Sequence, residues 1–176
     1  TDPTIDTTAS DLTVECDGSG NTADLNAWLA SNGGAASSDT CSTVTWSNDF
    51  SALSDLCGET GAATVTFTAT DDCGNASTTI ATFTIEDTTA PVAPSAPATA
   101  DYQCLADVPA AGDLTAVDNC QGDITVTGTD STDNTYPCNV IITRTWTFID
   151  TCNNASSVSQ TINVSDTTAP LSDNTA

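Results

Sequence analysis

Thr64-Val65-Thr66-Phe67-Thr68-Ala69-Thr70 alternates polar and apolar residues without a break. A period of two puts Val65, Phe67 and Ala69 on one face and the threonines on the other. Branched and aromatic side chains suit a pleated, half-buried surface, so the stretch predicts a strand whose Thr face meets solvent. Asp72-Cys73-Gly74-Asn75 then supplies a turn, and Thr82-Phe83-Thr84-Ile85 resumes the alternation. The same order returns later as Ile142-Thr143-Arg144-Thr145-Trp146-Thr147-Phe148, a turn at Cys152-Asn153-Asn154, and a strand from Val158 to Val164. Alternating strands of this length with polar turns predict an all-β fold, a sandwich rather than a parallel α/β sheet. Arg144 shares parity with Ile142, Trp146 and Phe148. Its stem is therefore expected on the apolar side, with its head paired to a carboxylate or laid on an aromatic face.

The two passages belong to an internal repeat. Ile85-Glu86-Asp87-Thr88-Thr89-Ala90-Pro91 recurs as Val164-Ser165-Asp166-Thr167-Thr168-Ala169-Pro170, and Asp2-Pro3 is a worn copy of the junction. Thirteen residues separate Pro3 from Cys16 and Pro91 from Cys104, and 18 separate Cys73 from Pro91 and Cys152 from Pro170. Between those fixed ends the cysteine spacings are 25, 16, 16 in the first copy and 16, 18, 14 in the second. The repeats are thus 88 and 79 residues, and the nine-residue difference falls between the first and second cysteines. Domains are expected over 1–90 and 91–169, with 170–176 starting a following repeat or forming a docking strand. In the longer first copy, Leu25, Trp28 and Leu29 stand at i, i+3 and i+4, with Asn or Thr before them and Gly33 after. That spacing predicts a short helix over about 22–32, with Trp28 as a core plug.

Composition narrows the function. The chain has 176 residues, no Met and no His, and one basic residue, Arg144, against 24 acidic ones, for a formal net charge of −23. Such a charge excludes nucleic acid and anionic membrane as natural partners. Of the acidic residues 21 are Asp and 3 are Glu, a skew towards turns, caps and oxygen-ligand metal sites. No apolar run is long enough to span a membrane. Eight cysteines in a chain this size read as disulfides formed in an oxidising compartment. The chain opens at Thr1 without a Met or a signal peptide, as expected of a processed product or an excerpt of a longer protein. Without His, Lys or a Gly-rich phosphate loop, catalysis has little to work with, and no enzyme is expected.

The aromatic-Thr strand, the Asp-x-Cys-x-Asn turn, the final strand and Asp-Thr-Thr-Ala-Pro together resemble the hyalin-repeat (HYR-like) immunoglobulin-fold modules. More closely they are similar to the four-cysteine variety in long surface adhesins of Bacteroidetes bacteria. In the first copy the resemblance rests on Leu25 to Gly34, Asp39-Thr40-Cys41, Val44 to Phe50 and Cys57-Gly58. The second copy lacks the helical insert and is a shorter variant. The resemblance implies two tandem immunoglobulin-like sandwiches in a cell-surface array with adhesive or filament-forming roles.

Four cysteines allow three pairings in each domain. Cys57 opens the long penultimate strand, Cys73 closes it and Cys41 opens an antiparallel neighbour, so Cys41 is expected to meet Cys73 and Cys16 to meet Cys57. The second copy would give Cys104–Cys138 and Cys120–Cys152. This topology turns Asp39, Asp71 and Asn75 towards a junction near Asp2, and Asp118, Asp150 and Asn154 towards a linker carrying Glu86 and Asp87. Hard oxygen ligands converging at a junction suit Ca²⁺; the same residues also serve ordinary turns.

Asp-Ser/Thr motifs resembling the Bacteroidetes O-glycosylation signal place glycans at Thr7, Thr88, Ser131 and Thr167, and Asn75, Asn154 and Asn163 fit the N-linked pattern. The expected protein is an extracellular, cell-surface structural or adhesive repeat, associating with adjacent repeats or with itself. The alternative is a sandwich binding surface glycans or a receptor.

Overall fold

The structure, a computed structural model, describes residues 1–136 and 139–168. It is mostly β with one short α-helix and divides into two compact units. The first holds Thr1–Thr89 together with Asn119–Gly122, and the second holds Ala90–Asp118 and the chain from Asp123 onward. Cys138 and residues 170–176, the expected start of a third repeat or docking strand, lie outside the described residues.

The first unit contains β1 (Thr4–Thr7), β2 (Leu12–Glu15), α1 (Thr22–Ala30), β3 (Ala36–Ser38), β4 (Val44–Asn48), β5 (Gly61–Asp71) and β6 (Ala76–Glu86). One sheet runs β2-β6-β5-β4 and a second pairs β1 with β3. The opening alternation lies in β5, whose antiparallel register with β6 runs from Gly61 opposite Ile85 to Thr70 opposite Ala76. Val65, Phe67, Ala69 and Phe83 have no solvent exposure. On the outer face the Thr64 and Thr82 hydroxyls hydrogen-bond across the strands at 3.0 Å. Burying each large apolar side chain is worth about 1.5–3 kcal/mol, and the threonines keep the other face wet.

Helix α1 closes the inner face. Leu25 and Trp28 are buried, the Trp28 ring meets Phe67 edge-on at 5.2 Å, and its Nε1–H donates to Ser10 O at 3.0 Å. Asn21 occupies the N-cap position with φ 47°, but its side chain makes no capping bond. Instead Asn21 Oδ1 accepts the Asp17 N–H, and Nδ2 donates to Glu15 O and Asp24 Oδ2. Gly33, at φ 64°, turns the chain after the helix; a Cβ there would lie 3.0 Å from Ala9 Cβ and 3.1 Å from Phe67, so glycine is required twice over.

The second unit contains β7 (Ala100–Tyr102), β8 (Asp113–Asp118), β9 (Gly122–Thr127), β10 (Thr129–Tyr136), β11 (Asn139–Ile149) and β12 (Ala155–Ser165). Its sheets are β10-β11-β12-β7 and β8-β9. β11 and β12 are the counterparts of β5 and β6, and both pairs place an added short strand parallel to the last one. Ile142, Arg144, Trp146 and Phe148 are all buried, as their shared parity requires. Arg144 resolves as an ion pair: Nε and Nη2 donate to the two Asp130 carboxylate oxygens at 2.7 and 2.8 Å, and Nη2 also donates to Pro109 O at 2.8 Å. Trp146 Nε1–H donates to Gly112 O at 2.8 Å.

Cysteine pairing departs from expectation. Cys16 is bonded to Cys120, their Cα atoms 5.3 Å apart, so neither Cys16–Cys57 nor Cys120–Cys152 forms. The reason lies in strand order: β2 joins β6 rather than β5, and Cys16 N–H donates to Glu86 O at 2.8 Å. The 119–122 turn then covers Cys16, with Asn119 Nδ2 donating to Cys16 O at 2.7 Å. Cys41, Cys73 and Cys104 are exposed and unbonded, which also sets aside Cys41–Cys73; Cys138, the expected partner of Cys104, lies outside the described residues. Beyond the Val44–Asp71 pair the ends of β4 and β5 are tied through Thr43, whose N–H and hydroxyl donate to the Asp72 carboxylate, and not through thiols. Cys57 and Cys152 are each in a disulfide.

Candidate functional site

The junction motif is held by a clasp that sequence reading missed. Glu15, the last residue of β2, accepts the Thr88 N–H at 2.9 Å, the Thr88 hydroxyl at 2.9 Å and the Thr89 hydroxyl at 2.7 Å. These bonds hold its carboxyl below the usual range, the Thr89 hydroxyl contributing most. Gln103 does the same work in the second unit, accepting the Thr167 N–H at 3.0 Å and the Thr167 hydroxyl at 3.1 Å. Both clasp residues immediately precede the first cysteine of their repeat. That shared position, an acceptor side chain 73 or 64 residues before its Thr, was the signal available in the sequence. Pro3 and Pro91, which open the two repeats, are both buried, and Ser77 Oγ donates to Pro3 O at 2.6 Å.

The expected cation ligands are first of all turn builders. Asp71 Oδ1 accepts the Cys73 and Asn75 N–H groups at 2.9 and 2.8 Å, and Oδ2 accepts Asn75 Nδ2 at 2.7 Å. Asp150 and Asn154 repeat the arrangement, with N–H and Nδ2 bonds of 2.9 Å each. Asp39 accepts the Cys41 and Ser42 N–H groups at 2.8 and 3.0 Å. Asp71 is held below the ordinary carboxylate range mainly by the Asn75 amide, and Asp39 by the Cys41 N–H. Val44 pairs with Asp71, and Asp39 holds the Ser42 N–H just before that pair, so Asp39, Asp71 and Asn75 lie at one end of the first unit. Asp118 and Asp150 are buried in the second unit, and Glu86 and Asp2 are exposed in the first. Asp87 accepts the Thr89 N–H at 3.2 Å.

Among the expected glycan sites, Thr7, Thr88, Ser131 and Thr167 are all exposed. Thr88 and Thr167 commit their hydroxyl hydrogens to the clasps. Trp28 and Trp146 are buried and Trp46 is half-buried, so none offers a bare stacking platform. A shallow open depression of about 510 Å³ in the first unit is lined by Asp49–Ser54 and Ala62–Thr64, with Phe50 its aromatic contributor. No helix among the described residues is long and apolar enough to cross a membrane.

Residues 92–164 match the family model described as an HYR-like domain with 4 cysteines. The match spans the second repeat and its Cys104, Cys120, Cys138 and Cys152. No curated protein matches the chain.

Proposed function

With residues 92–164 an HYR-like domain with 4 cysteines, we propose that the chain is a structural, adhesive segment of an extracellular bacterial surface fibre. The observation that carries this reading is covalent. Cys16 of the first repeat is bonded to Cys120 of the second, 104 residues away, so the bond fastens repeat to repeat. A stalk gains from such a bond, whereas a catalytic or ligand-binding head needs a cleft. Disulfides also fit an oxidising, extracellular setting. Immunogold labelling of cells that make the protein tests the reading. Label along surface fibres is expected, and label confined to the periplasm or the medium overturns it.

Ca²⁺ belongs to this proposal through charge. With 24 carboxylates against one Arg, divalent cations relieve self-repulsion in the compact state. Thermal melting of the disulfide-intact chain in EGTA and then in millimolar Ca²⁺ (roughly the affinity range of extracellular sites), at constant ionic strength, should show a Ca²⁺-specific rise in Tm. An equal response to Mg²⁺, or none, removes the ion. Glycans belong to it at Thr7 and Ser131, whose exposed hydroxyls are not used by the clasps. Modifying Thr88 or Thr167 would remove the clasp donor, and intact mass and peptide mapping of native material distinguishes the two pairs.

A further inference from the structure

The seven cysteines among the described residues fall into states that no pairing within a repeat produces. If each repeat bonded its own cysteines, a given position would be in the same state in both copies. Instead the first cysteine is bonded and buried in repeat one (Cys16, 3% exposed) but free and exposed in repeat two (Cys104). The second is the reverse: Cys41 is free and exposed, while Cys120 is bonded and 4% exposed. The fourth follows the second, with Cys73 free and Cys152 bonded. A bonding register shifted by one repeat generates this alternation.

The bonded pair shows what a completed link looks like. Cys16 sits at the end of β2 with its N–H on Glu86 O and its carbonyl taken by the Asn119 side chain. Gly18 follows at φ 70°, so close to the arriving turn that a Cβ would come within 2.7 Å of Asn119 O. At Cys104, the equivalent position, no turn among the described residues covers the exposed thiol, and the adjoining Leu105 is 57% exposed. Cys41, the equivalent of Cys120, carries its exposed thiol beside Thr40.

We propose that the first cysteine of each repeat bonds to the second cysteine of the repeat that follows, so that Cys104 and Cys41 are open ends of a covalent ladder, each taking another copy of this repeat. The inference deepens the fibre reading and rests on it for the supply of further copies. Between two molecules of the present chain, the missing link is Cys104 of one to Cys41 of the other. With glutathione disulfide as oxidant, the Cys104 thiolate attacks one sulfur and releases one glutathione thiolate. The Cys41 thiolate then displaces the second glutathione. Two protein thiols give up two protons and two electrons, and one glutathione disulfide becomes two glutathione molecules.

The experiment uses Cys104→Ser and Cys41→Ser chains, separately and mixed, in a glutathione redox buffer. It is read by non-reducing electrophoresis and by mass spectrometry of disulfide-linked peptides. Recovery of the Cys16–Cys120 peptide confirms that each variant has folded. The expected result is a Cys41–Cys104 peptide in the mixture and in the unsubstituted chain, and in neither variant alone. Recovery of Cys41 linked to Cys73, or of Cys104 linked to Cys138, overturns the proposal. So do statistical amounts of Cys41–Cys41 and Cys104–Cys104, or thiols still free after oxidation. Fibre labelling on cells together with any of these results would leave the stalk standing and remove the ladder; intended links without fibre labelling would do the opposite.

Discussion

Replacing Asp130 by Ala probes the buried cation of the second unit. Arg144 is 4% exposed and is the chain's one basic side chain. Its guanidinium gives two hydrogen bonds to Asp130 and one good one to Pro109 O. Removing the carboxylate leaves a desolvated charge with that single strong acceptor. Breaking a fully buried pair costs about 3–5 kcal/mol. The Asp130 side chain is 36% exposed, so water already screens part of the attraction and readmits itself to the gap; about 2–3 kcal/mol is the discounted expectation. At 1.36 kcal/mol per decade, amides of β11 that exchange by opening of this unit should exchange roughly 30- to 150-fold faster. Hydrogen-exchange mass spectrometry on peptides covering 139–149 reads this directly. An Arg144→Met, Asp130→Ser double variant removes both charges and should recover most of the loss. The pH dependence has a defined sign. Arg144 depresses the folded-state pKa of Asp130, chiefly through its hydrogen bonds. The pair's contribution is therefore complete above the unfolded carboxylate value and is lost as pH falls through the folded one. A change below threefold in Asp130→Ala, or a double variant no better than the single, would refute the reasoning.

Three other outcomes follow from the same structure. Trp28→Ala removes the ring set against Phe67 and Phe83 and its bond to Ser10 O; a loss of about 3–5 kcal/mol is expected in urea unfolding of the first unit, with Trp28→Phe costing less. Glu15→Ala frees Thr88 and Thr89, so limited proteolysis between Glu86 and Pro91 should accelerate, while Glu15→Gln keeps an acceptor and most of the protection; because the Glu15 pKa is depressed, unsubstituted protein should lose this protection as pH falls through its folded value, not as pH rises. Gly18→Ala strains a φ of 70° and drives a Cβ towards Asn119 O, so the Cys16–Cys120 bond should be reduced by dithiothreitol faster than in the parent, measured by thiol trapping.

The strands were legible because their information is local. Thr64–Thr70 and Ile142–Phe148 carry a period of two that only a one-sided sheet satisfies, and the buried set follows from parity alone, Arg144 included. Helix α1 was legible from Leu25, Trp28 and Leu29, although Asn21 caps by position only and spends its side chain on Asp17, Glu15 and Asp24. The disulfides were not legible, since pairing depends on which strand neighbours which and on a turn 104 residues distant. Expecting Cys16 beside Cys57, at the opening of β5, was enough to misassign it, because β2 pairs with β6. The clasps escaped for a similar reason: Glu15 and Thr88 are ordinary residues until the parallel pairing of β2 with β6 brings the two ends of a repeat together.

That parallel pairing has a mechanical consequence. In each repeat the early short strand and the last strand point the same way: Leu12–Glu15 against Phe83–Glu86, and Ala100–Tyr102 against Ile162–Val164. Tension that pulls the start of a repeat backwards and its end forwards therefore acts along the strand axes. The hydrogen bonds joining the pair are loaded in shear and must yield together, whereas an antiparallel pair held the same way would peel open one bond at a time. In each repeat the last strand is thus fastened to an early one by a pair that resists stretching in shear.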